Sequence, residues 1–556
     1  MSNKMNGNSQ LNLIEKLDNS KKNRIIFLST LVLSALIIRL YVFPFDVPFF
    51  NDSAGYFWYA IDLSILNNFP TNHNLTNNGW PIFLAGIFQL INSDNFLDYQ
   101  NTQRMLGVIF SIATIFPVYL LCSRFFKKSY SLLGATLFAF EPRIIQNSSI
   151  GTPESLYIFL IALFLALFFS NNFKKIYLAF FIVGILSLVR YEGLLMIIPL
   201  SITFFIRFRI KKDQIMRYAI CVMMVVIVVI PMGLIKNETM GQDGFVSHIA
   251  AGPEFYQTSI EENSSSVSNF IQNGILNMGK YLGWIQIPFF IAFIPLGVLL
   301  FLKNIDYKKI TIILTVVMIL IPAFYAYSRD FSETKYLFPL FPIFALIGCF
   351  ALKKFFDISN KKELIITIIL LGIILSSVFF VYSKLIDHEH YRETYQILSE
   401  IGQREIVING DFKKYGGEFV YFHWVRLNNI DEFPVLKESV PELSISTPVQ
   451  PARIEKESNY AEIDRDYPVW KNKKDINNFA EYLVVLKQQN VTHLLIDEEN
   501  NISLINEYLR SDLRKIFQNE DEYPYLIKEY DSREEGYKYH LKLFRIDYEA
   551  FKKIEN

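Results

Sequence analysis

The chain has little of what holds small secreted domains together. Its 556 residues contain three cysteines, Cys122, Cys221 and Cys349, and each lies within an apolar run. They are therefore predicted to be small buried side chains rather than disulfide partners. The carboxy-terminal third shows no metal-ligand spacing, no glycine-rich phosphate loop and no Ser/His/Asp set, so the sequence assigns no chemistry to that part. No small-residue cleavage pattern follows the first apolar run, which predicts a retained helix rather than a signal peptide.

Hydrophobic residues are abundant instead. They make up 51% of the chain and aromatic residues 16%, and apolar runs of about 17 to 25 residues, long enough to cross a bilayer as helices, recur up to about residue 383. Beyond that point the runs cease. We therefore expect a polytopic α-helical membrane protein with a cytoplasmic tail at residues 1–24, a transmembrane domain at 25–383 and a soluble domain at 384–556.

Basic residues give the expected orientation. From residue 384 onward there are 24 Lys and Arg against 33 Asp and Glu, a net charge of −9, which leaves +9 on the first 383 residues. Lysines and arginines before the first span and after every second span predict a cytoplasmic amino terminus and an extracytoplasmic carboxy-terminal domain. The eleven predicted spans are residues 25–43, 105–122, 130–140, 155–169, 176–189, 194–205, 215–235, 282–302, 310–327, 336–352 and 364–381.

The two soluble regions have secondary-structure signals of their own. In the first outer loop, the runs FWYAIDLSIL and WPIFLAGIFQLI predict helices lying along the membrane interface. In the carboxy-terminal domain, REIVING, THLLID and GYKYHLKLFRID predict strands and NNFAEYLVVLKQQN predicts a helix. Residues 429–468 are rich in Pro, Ser and Glu and predict an extended excursion. The expected domain is a small α/β unit.

Ionisable side chains collect at the predicted outer ends of the spans. Such groups are costly near hydrocarbon and are therefore candidates for function. Acids and bases together at one membrane face suit sugar transfer from a lipid-linked phosphate, because the phosphate needs cations and the acceptor hydroxyl needs a base. The candidates are Arg39, Asp52, Arg104, Glu141, Arg143, Glu154, Arg190, Glu192, Arg329, Asp330, Glu333 and Lys335.

Structural roles are the alternatives to these functional ones. Asp52 precedes a helical pattern and could be its N-cap. Glu154 follows Pro153 and could only favour the helix dipole. Arg39 is better explained as a side chain that snorkels to the interface. Two further groups of residues, His73 with His248 and Asp330 with Glu333, are ordinary loop residues in this interpretation.

The order of these motifs resembles the GT-C superfamily of polyprenyl-phosphate-sugar-dependent glycosyltransferases. The resemblance covers about residues 25–350 and is strongest to the branch of protein O-mannosyltransferases and lipid A aminoarabinose transferases. Each motif is short, and their order carries the signal. The matching features are Arg39; Asp52 with Tyr56 and Ala60; Gly79-Trp80-Pro81; Arg104; Glu141-Pro142; Thr152-Pro153-Glu154-Ser155; Arg190-Tyr191-Glu192-Gly193; and Lys335-Tyr336-Leu337.

The resemblance implies a role for each matched residue. Asp52 would be the catalytic base toward the acceptor, and Glu154 the acid of the second outer loop. Binding of the donor phosphate would fall to Arg190, Lys335, Arg104 and Tyr336, and the acceptor or sugar site to Tyr56, Glu141 and Glu192. It also implies a transferase that moves a sugar, a hexose by preference, with inversion, from a polyprenyl- or dolichyl-phosphate donor to an acceptor hydroxyl of a protein, lipid or glycan at the outer face of the cell membrane.

Two departures from the family pattern bear on the acceptor and on metal dependence. Asn51-Asp52-Ser53 stands where many relatives have paired acids, and the basic residue or His before proline later in that loop is absent. A monophosphate leaving group can be neutralised by Arg and Lys, so we expect no required cofactor and no metal ligand, and no nucleic-acid partner.

Other classes of protein remain open. An oligosaccharyltransferase shares this architecture but carries a Trp-Trp-Asp motif, whereas the five tryptophans here are isolated. A transporter or flippase would place its ionisable groups deeper in the bilayer and would show internal repeats.

Overall fold

The structure is a computed structural model of the whole chain. The residues it describes are 13–47, 49, 51–64, 77–91, 93, 96–241, 243–245, 247, 267–329, 331, 333–358, 362–405, 415–417, 478–488, 493–498 and 507–555. The predicted excursion at 429–468, both loop histidines and Asp330 lie outside these residues, as does most of the strand predicted in REIVING, whose Arg404 and Glu405 end a helix.

Helices dominate the first 405 residues. Short 3₁₀ helices, Tyr191–Met196 and Thr334–Leu340, lead into α11 and α16. In chain order the α-helices are α1 (Leu13–Asn19), α2 (Lys21–Tyr41), α3 (Asn51–Ser64), α4 (Gly79–Phe88), α5 (Phe96–Ala113), α6 (Ile115–Cys122), α7 (Lys128–Ala139), α8 (Pro142–Ser148), α9 (Glu154–Phe168), α10 (Phe173–Val189), α11 (Ile197–Phe208), α12 (Lys212–Met240), α13 (Val267–Trp284), α14 (Phe290–Phe301), α15 (Tyr307–Ser328), α16 (Phe341–Ile358) and α17 (Lys362–Glu405).

Each of the eleven predicted spans consists mainly of helix. By length and composition, seven described segments are long and apolar enough to cross a membrane: Lys21–Tyr41, Leu97–Cys122, Tyr191–Phe208, Lys212–Glu238, Tyr307–Ser328, Thr334–Ile358 and Leu364–Ser383. Shorter apolar helices are α4, α9 and α14. The chain is therefore a multi-pass membrane protein, and the number eleven stays a prediction. The two helices predicted in the first long loop are present as α3 and α4, and their position along the membrane interface stays a prediction.

The eighth predicted span is interrupted. The sequence predicted one helix over 282–302, but α13 ends at Trp284 and α14 begins at Phe290. Pro288 explains the break, because proline donates no backbone hydrogen bond and disfavours helical geometry in the residue before it.

The outward faces of the long helices are apolar. On α12, for example, Ile215, Met216, Ile227, Ile230 and Leu234 are all exposed. Exposed apolar surface of this extent is unfavourable in water and is expected where lipid tails replace water.

The chain divides into two compact units. One consists of Met1–Phe43, Asn74–Phe83 and Thr102–Ser383, and we call it the helical unit. The other, which we call the mixed unit, consists of Pro44–His73, Leu84–Asn101 and Lys384–Asn556. The mixed unit therefore combines most of the first outer loop with the carboxy-terminal part of the chain.

A four-stranded sheet organises the carboxy-terminal part. Its strands are β1 (Tyr415–Gly417), β2 (His493–Asp497), β3 (Leu526–Asp531) and β4 (Leu541–Ile546), in the order β1-β2-β4-β3, with β1 parallel to β2 and the other pairs antiparallel. Three helices, α18 (Phe479–Gln488), α19 (Glu507–Gln518) and α20 (Tyr548–Glu555), add apolar side chains to its core. The predicted helix and the strands in THLLID and GYKYHLKLFRID are confirmed, while β3 and α19 were not predicted.

Charged side chains join β3 and β4 to the turn before them. The ammonium groups of Lys528 and Lys542 each lie 2.8 Å from one carboxylate oxygen of Glu520. Although burial opposes it, these two hydrogen bonds hold the pKa of Glu520 below its usual value.

Candidate active site

A cleft in the helical unit brings together five of the predicted site residues. It opens between the start of α9, the turn after α10, the middle of α15 and the 3₁₀ helix before α16. The residues that line it are Glu154, Tyr157, Ile158, Arg190, Glu192, Met318, Ile319, Pro322, Ala323, Lys335, Tyr336 and Pro339. One side is thus charged and the α15 side is apolar.

The charged side is built around one guanidinium group. Arg190 donates from Nη1 to Glu154 Oε1 at 2.8 Å and from Nη2 to Glu192 Oε1 at 3.0 Å. The three side chains are only 12%, 5% and 11% exposed, in that order. The guanidinium carbon also lies 5.7 Å from the centre of the Tyr157 ring. Two carboxylates therefore share one buried cation, and the trio carries a net charge of −1.

The turn that presents Arg190 is fixed by its backbone. Arg190 ends α10 in an extended conformation, and its N–H donates to the carbonyl of Leu186 at 2.9 Å. The Gly193 N–H donates back to the Arg190 carbonyl at 2.8 Å, which closes the turn. The Tyr191 N–H donates to the Asn77 side chain at 3.2 Å. The turn thus directs the side chains of both Arg190 and Glu192 into the cleft.

The start of α4 packs directly on the end of α10. A Cβ placed on Gly79 would lie 2.6 Å from the backbone carbon of Leu188, so only glycine fits without movement. This contact explains why glycine stands first in the Gly79-Trp80-Pro81 motif: it lets the helix end that carries Arg190 approach closely.

Glu154 is positioned by the loop before it. Gly151 has a φ of 88°, a conformation that favours glycine. Its carbonyl accepts two hydrogen bonds, from Trp80 Nε1 at 3.0 Å and from Gln103 Nε2 at 2.7 Å. Glu154 follows as the first residue of α9, so its carboxylate has the favourable dipole position of the structural alternative and also lines the cleft.

Lys335 and Tyr336 form the opposite, more accessible edge. Lys335 Nζ lies 2.5 Å from Glu333 Oε2, and the two side chains are 25% and 52% exposed. Glu333 is thus an ion-pair partner and not only a solvated loop charge. The Tyr336 ring packs edge-on against Tyr327 at 6.1 Å, and the Tyr327 hydroxyl donates to the Glu333 carbonyl at 3.1 Å.

Asp52 and Tyr56 belong to the mixed unit. Asp52 is the second residue of α3 and is exposed, so it occupies the first helical turn rather than preceding the helix as an N-cap. Tyr56 lies one turn further along on the same face of α3, because side chains four residues apart are neighbours on a helix.

Two other candidates, Glu141 and Arg104, are buried inside the helical unit. Glu141 caps α8, accepts a hydrogen bond from the Arg143 N–H at 3.3 Å, and is not among the residues that line the cleft. Burial raises the pKa of Glu141 above its usual range, and the nearby Arg143 guanidinium opposes that shift. Arg104 is buried on α5 and likewise does not line the cleft.

Arg39 corrects the snorkelling interpretation. Its side chain is fully buried and donates to Ser111 Oγ and to the carbonyls of Ala35 and Ala139, each at 3.1 Å. It therefore ties α2 to α5 and α7 instead of reaching for water.

Sequence reasoning missed several supporting residues. Tyr157 lies three residues after Glu154 and hence on the same helix face, a spacing that could have identified it. Asn77 and Gln103 gave no signal, because neutral amides are common in outer loops and helix ends. In the part of the chain that the structure describes, no three His, Cys, Asp or Glu side chains are grouped so as to hold a metal ion.

One family model matches part of the chain. Residues 81–235 match the family model described as dolichyl-phosphate-mannose-protein mannosyltransferase. This segment contains Arg104, Glu141, Glu154, Arg190 and Glu192. Among curated proteins, none matches the chain significantly.

Two solved structures of an archaeal oligosaccharyltransferase show a similar fold at low sequence identity. The archaeal oligosaccharyltransferase AglB from Archaeoglobus fulgidus, in complex with an inhibitory peptide and a dolichol-phosphate, is 13% identical with a TM-score of 0.53, over 92% of this chain and 73% of that one. Its apo form is 11% identical with the same TM-score, over 90% and 73%. ArnT from Cupriavidus metallidurans bound to undecaprenyl phosphate is 10% identical over 95% and 98%, with a TM-score of 0.45.

Fold, cleft and family match together define the class: the chain is a membrane glycosyltransferase of the GT-C type. The resemblance to the mannosyltransferase family covers residues 81–235.

Proposed function

We propose that the protein transfers a single sugar, a hexose by preference, from its lipid-phosphate donor to an acceptor hydroxyl at the outer face of the cell membrane, with inversion at the sugar carbon. The acceptor hydroxyl belongs to a protein, lipid or glycan. The amino terminus is cytoplasmic and the carboxy-terminal part is outside. The observation that supports this most is the cleft that combines a carboxylate pair, two cations and an apolar wall.

We assign different parts of the donor to different sides of the cleft. Met318, Ile319, Pro322 and Ala323 of α15 offer the apolar wall that the first part of the lipid needs. Lys335, at the accessible edge, is assigned to the phosphate, with Tyr336 beside it. A lysine ammonium binds phosphate as a point charge and needs no metal to do so.

Arg190 has a second task in this proposal. Because its guanidinium already bridges Glu154 and Glu192, it orients both carboxylates and offsets part of their negative charge, which would otherwise repel the phosphate. Carboxylate oxygens accept hydrogen bonds from sugar hydroxyls, so Glu154 and Glu192 are assigned to the sugar or acceptor. We assign Tyr56 to the acceptor side as well.

Asp52 is the proposed base. As the acceptor oxygen forms its bond to the sugar carbon, the carbon–oxygen bond to phosphate breaks and the electron pair leaves with the phosphate. The acceptor proton passes to the Asp52 carboxylate. The exposed position of Asp52 at the first turn of α3 leaves it accessible to an acceptor.

Replacement of Asp52 by asparagine tests the base directly. Asp52→Asn should lower turnover by about 10²-fold or more, the usual contribution of a general base, while expression and thermal stability stay unchanged. Asp98→Asn is the matched control, because Asp98 also lies in the first turn of a helix of the mixed unit. Near-normal turnover by Asp52→Asn would end the assignment.

A panel of donors tests the reaction class. The purified protein is incubated with radiolabelled polyprenyl-phosphate mannose, glucose and other sugars, with and without chelator, and product is separated from lipid. Transfer from a monophosphate donor supports the proposal. Transfer only from a diphosphate-linked oligosaccharide would indicate an oligosaccharyltransferase, and loss of activity with chelator would reveal a metal requirement.

A further inference from the structure

We propose that the carboxy-terminal part of the chain positions the first-loop helix that carries Asp52, through two adjacent residues of α17, Arg392 and Glu393. This inference rests on the proposed role of Asp52 as the base. It gives the carboxy-terminal sheet a task in the reaction, although the sheet itself carries no recognisable catalytic set.

Arg392 forms a bidentate ion pair with Asp46, in the segment that leads into α3. Its Nε donates to Asp46 Oδ2 at 2.6 Å and its Nη2 donates to Asp46 Oδ1 at 3.0 Å, so both carboxylate oxygens are held. Paired contacts of this type fix orientation as well as distance. Asp46 lies six residues before Asp52 in the sequence.

Glu393, the next residue, accepts hydrogen bonds from the sheet region. Its two carboxylate oxygens accept hydrogen bonds from consecutive backbone N–H groups, those of Lys538 at 2.7 Å and Tyr539 at 2.9 Å. These residues belong to the connection between β3 and β4, which is closed by a hydrogen bond from Ser532 Oγ to the Tyr539 carbonyl. Because neighbouring residues on a helix point in different directions, α17 can hold the first loop and the sheet at one level.

Side chains of α5 form hydrogen bonds with the chain on both sides of Asp46. The Phe45 carbonyl accepts a hydrogen bond from Asn101 Nδ2 at 2.9 Å. The Phe49 N–H donates to Gln100 Oε1 at 2.8 Å, and the Phe49 ring lies 6.1 Å from the buried ring of Phe57 on α3. Contacts beside Asp46 therefore reach α3 through the rings of Phe49 and Phe57.

The Arg392–Asp46 pair is too exposed to matter much for overall stability. The two side chains are 43% and 55% exposed, and ion pairs at such exposure contribute little to the free energy of unfolding. Catalysis is more sensitive, because a displacement of about 1 Å in a reacting group can lower the rate by about 10²-fold. The effect of breaking the pair should thus appear in the rate and not in the folding.

The test is a charge swap in the full-length protein. Arg392→Glu and Asp46→Arg each break the pair, and the double variant restores it in reverse. Each single variant should lower kcat by about tenfold or more with the KM for the donor unchanged, and the double variant should recover most of the loss. Glu393→Gln should lower kcat in the same way. Lys487→Glu is the control, because it breaks a different exposed ion pair of the carboxy-terminal part, with Glu549.

Hydrogen–deuterium exchange supplies a readout that needs no donor. Amides at the start of α3 should exchange faster in Arg392→Glu and return toward the wild-type rate in the double variant, with Lys487→Glu unchanged. Unchanged exchange and kcat in Arg392→Glu, or losses that the swap does not repair, would overturn the inference. The proposed function fails separately, if Asp52→Asn retains turnover; inactive Asp52→Asn together with normal Arg392→Glu would refute the positioning role alone.

Discussion

Removing the guanidinium group of Arg190 should lower the stability of the helical unit, in addition to any effect on sugar transfer. Arg190 is the partner of two carboxylates in a site where all three side chains are nearly buried. Breaking a buried ion pair by removing one partner leaves uncompensated charge, and such changes cost about 3 to 5 kcal/mol. Arg190→Met keeps the unbranched apolar stem of the side chain and removes the charged group, so we expect a loss of this size.

The remaining carboxylates account for that cost. After Arg190→Met, Glu154 and Glu192 are left as two like charges that no longer share a cation. Arg190→Lys keeps one positive charge but cannot reach both carboxylates with a planar fork. It should lose about 1 to 3 kcal/mol, the range for one charged hydrogen bond. The order of stability is therefore wild type, Arg190→Lys, Arg190→Met.

A triple variant separates stability from function. Neutralising both acids as well, in Arg190→Met with Glu154→Gln and Glu192→Gln, removes the buried charge and should restore most of the stability without restoring sugar transfer. The assay is the thermal unfolding midpoint of the purified protein in one detergent, followed by sugar transfer from the donor identified in the panel. If Arg190→Met is as stable as the wild type, or if the triple variant is no more stable than Arg190→Met, the argument from buried charge is refuted.

Three further outcomes can be measured with the same preparation. Gly79→Ala should destabilise the protein by about 1 to 3 kcal/mol because its methyl group overlaps α10, whereas Gly86→Ala, with open space at the same helix, should be neutral or slightly stabilising; equal midpoints would contradict this. Lys335→Gln should weaken binding of undecaprenyl phosphate by about 1 to 3 kcal/mol, with the exposed Lys353→Gln as control, and unchanged binding would remove Lys335 from the phosphate site. Because the pKa of Glu520 is held below its usual value, its contribution to stability is present at neutral pH and is lost as the pH falls through the folded-state pKa. Glu520→Gln should therefore weaken the protection of β4 from hydrogen exchange at pH 7, and should reduce the additional loss of protection that the wild type shows below pH 4.5. An unaltered dependence of protection on pH would contradict this prediction.

Much of the fold follows from the sequence because bilayer spans need long apolar runs and their ends carry charge. The order of the helices, the hairpin that ends at Arg190 and the helix of Asp52 were all predicted in this way. The site was predicted in part: Glu154, Arg190, Glu192, Lys335 and Tyr336 do share one cleft. Their association was expected from the motif order, since no periodicity brings residues from three separate segments together.

The remainder depends on tertiary contacts that leave no trace in composition. Arg39 sits at a helix end, where snorkelling is the usual outcome, yet it is buried between three helices. The carbonyl of Gly151 is held by Trp80 and Gln103 from two other segments. Likewise α17 continues to Glu405, well past its apolar part, and its Arg392 and Glu393 contact parts of the chain that are distant in sequence.

The burial of every native thiol makes the protein a convenient subject for chemical labelling. Cys122, Cys221 and Cys349 are all inaccessible in the folded chain. A membrane-impermeant maleimide applied to intact cells should therefore leave the wild type unmarked and report each newly introduced surface cysteine against no background. Labelling of a cysteine introduced at position 353 would contradict the orientation proposed here. Labelling of one introduced at position 98 would support it.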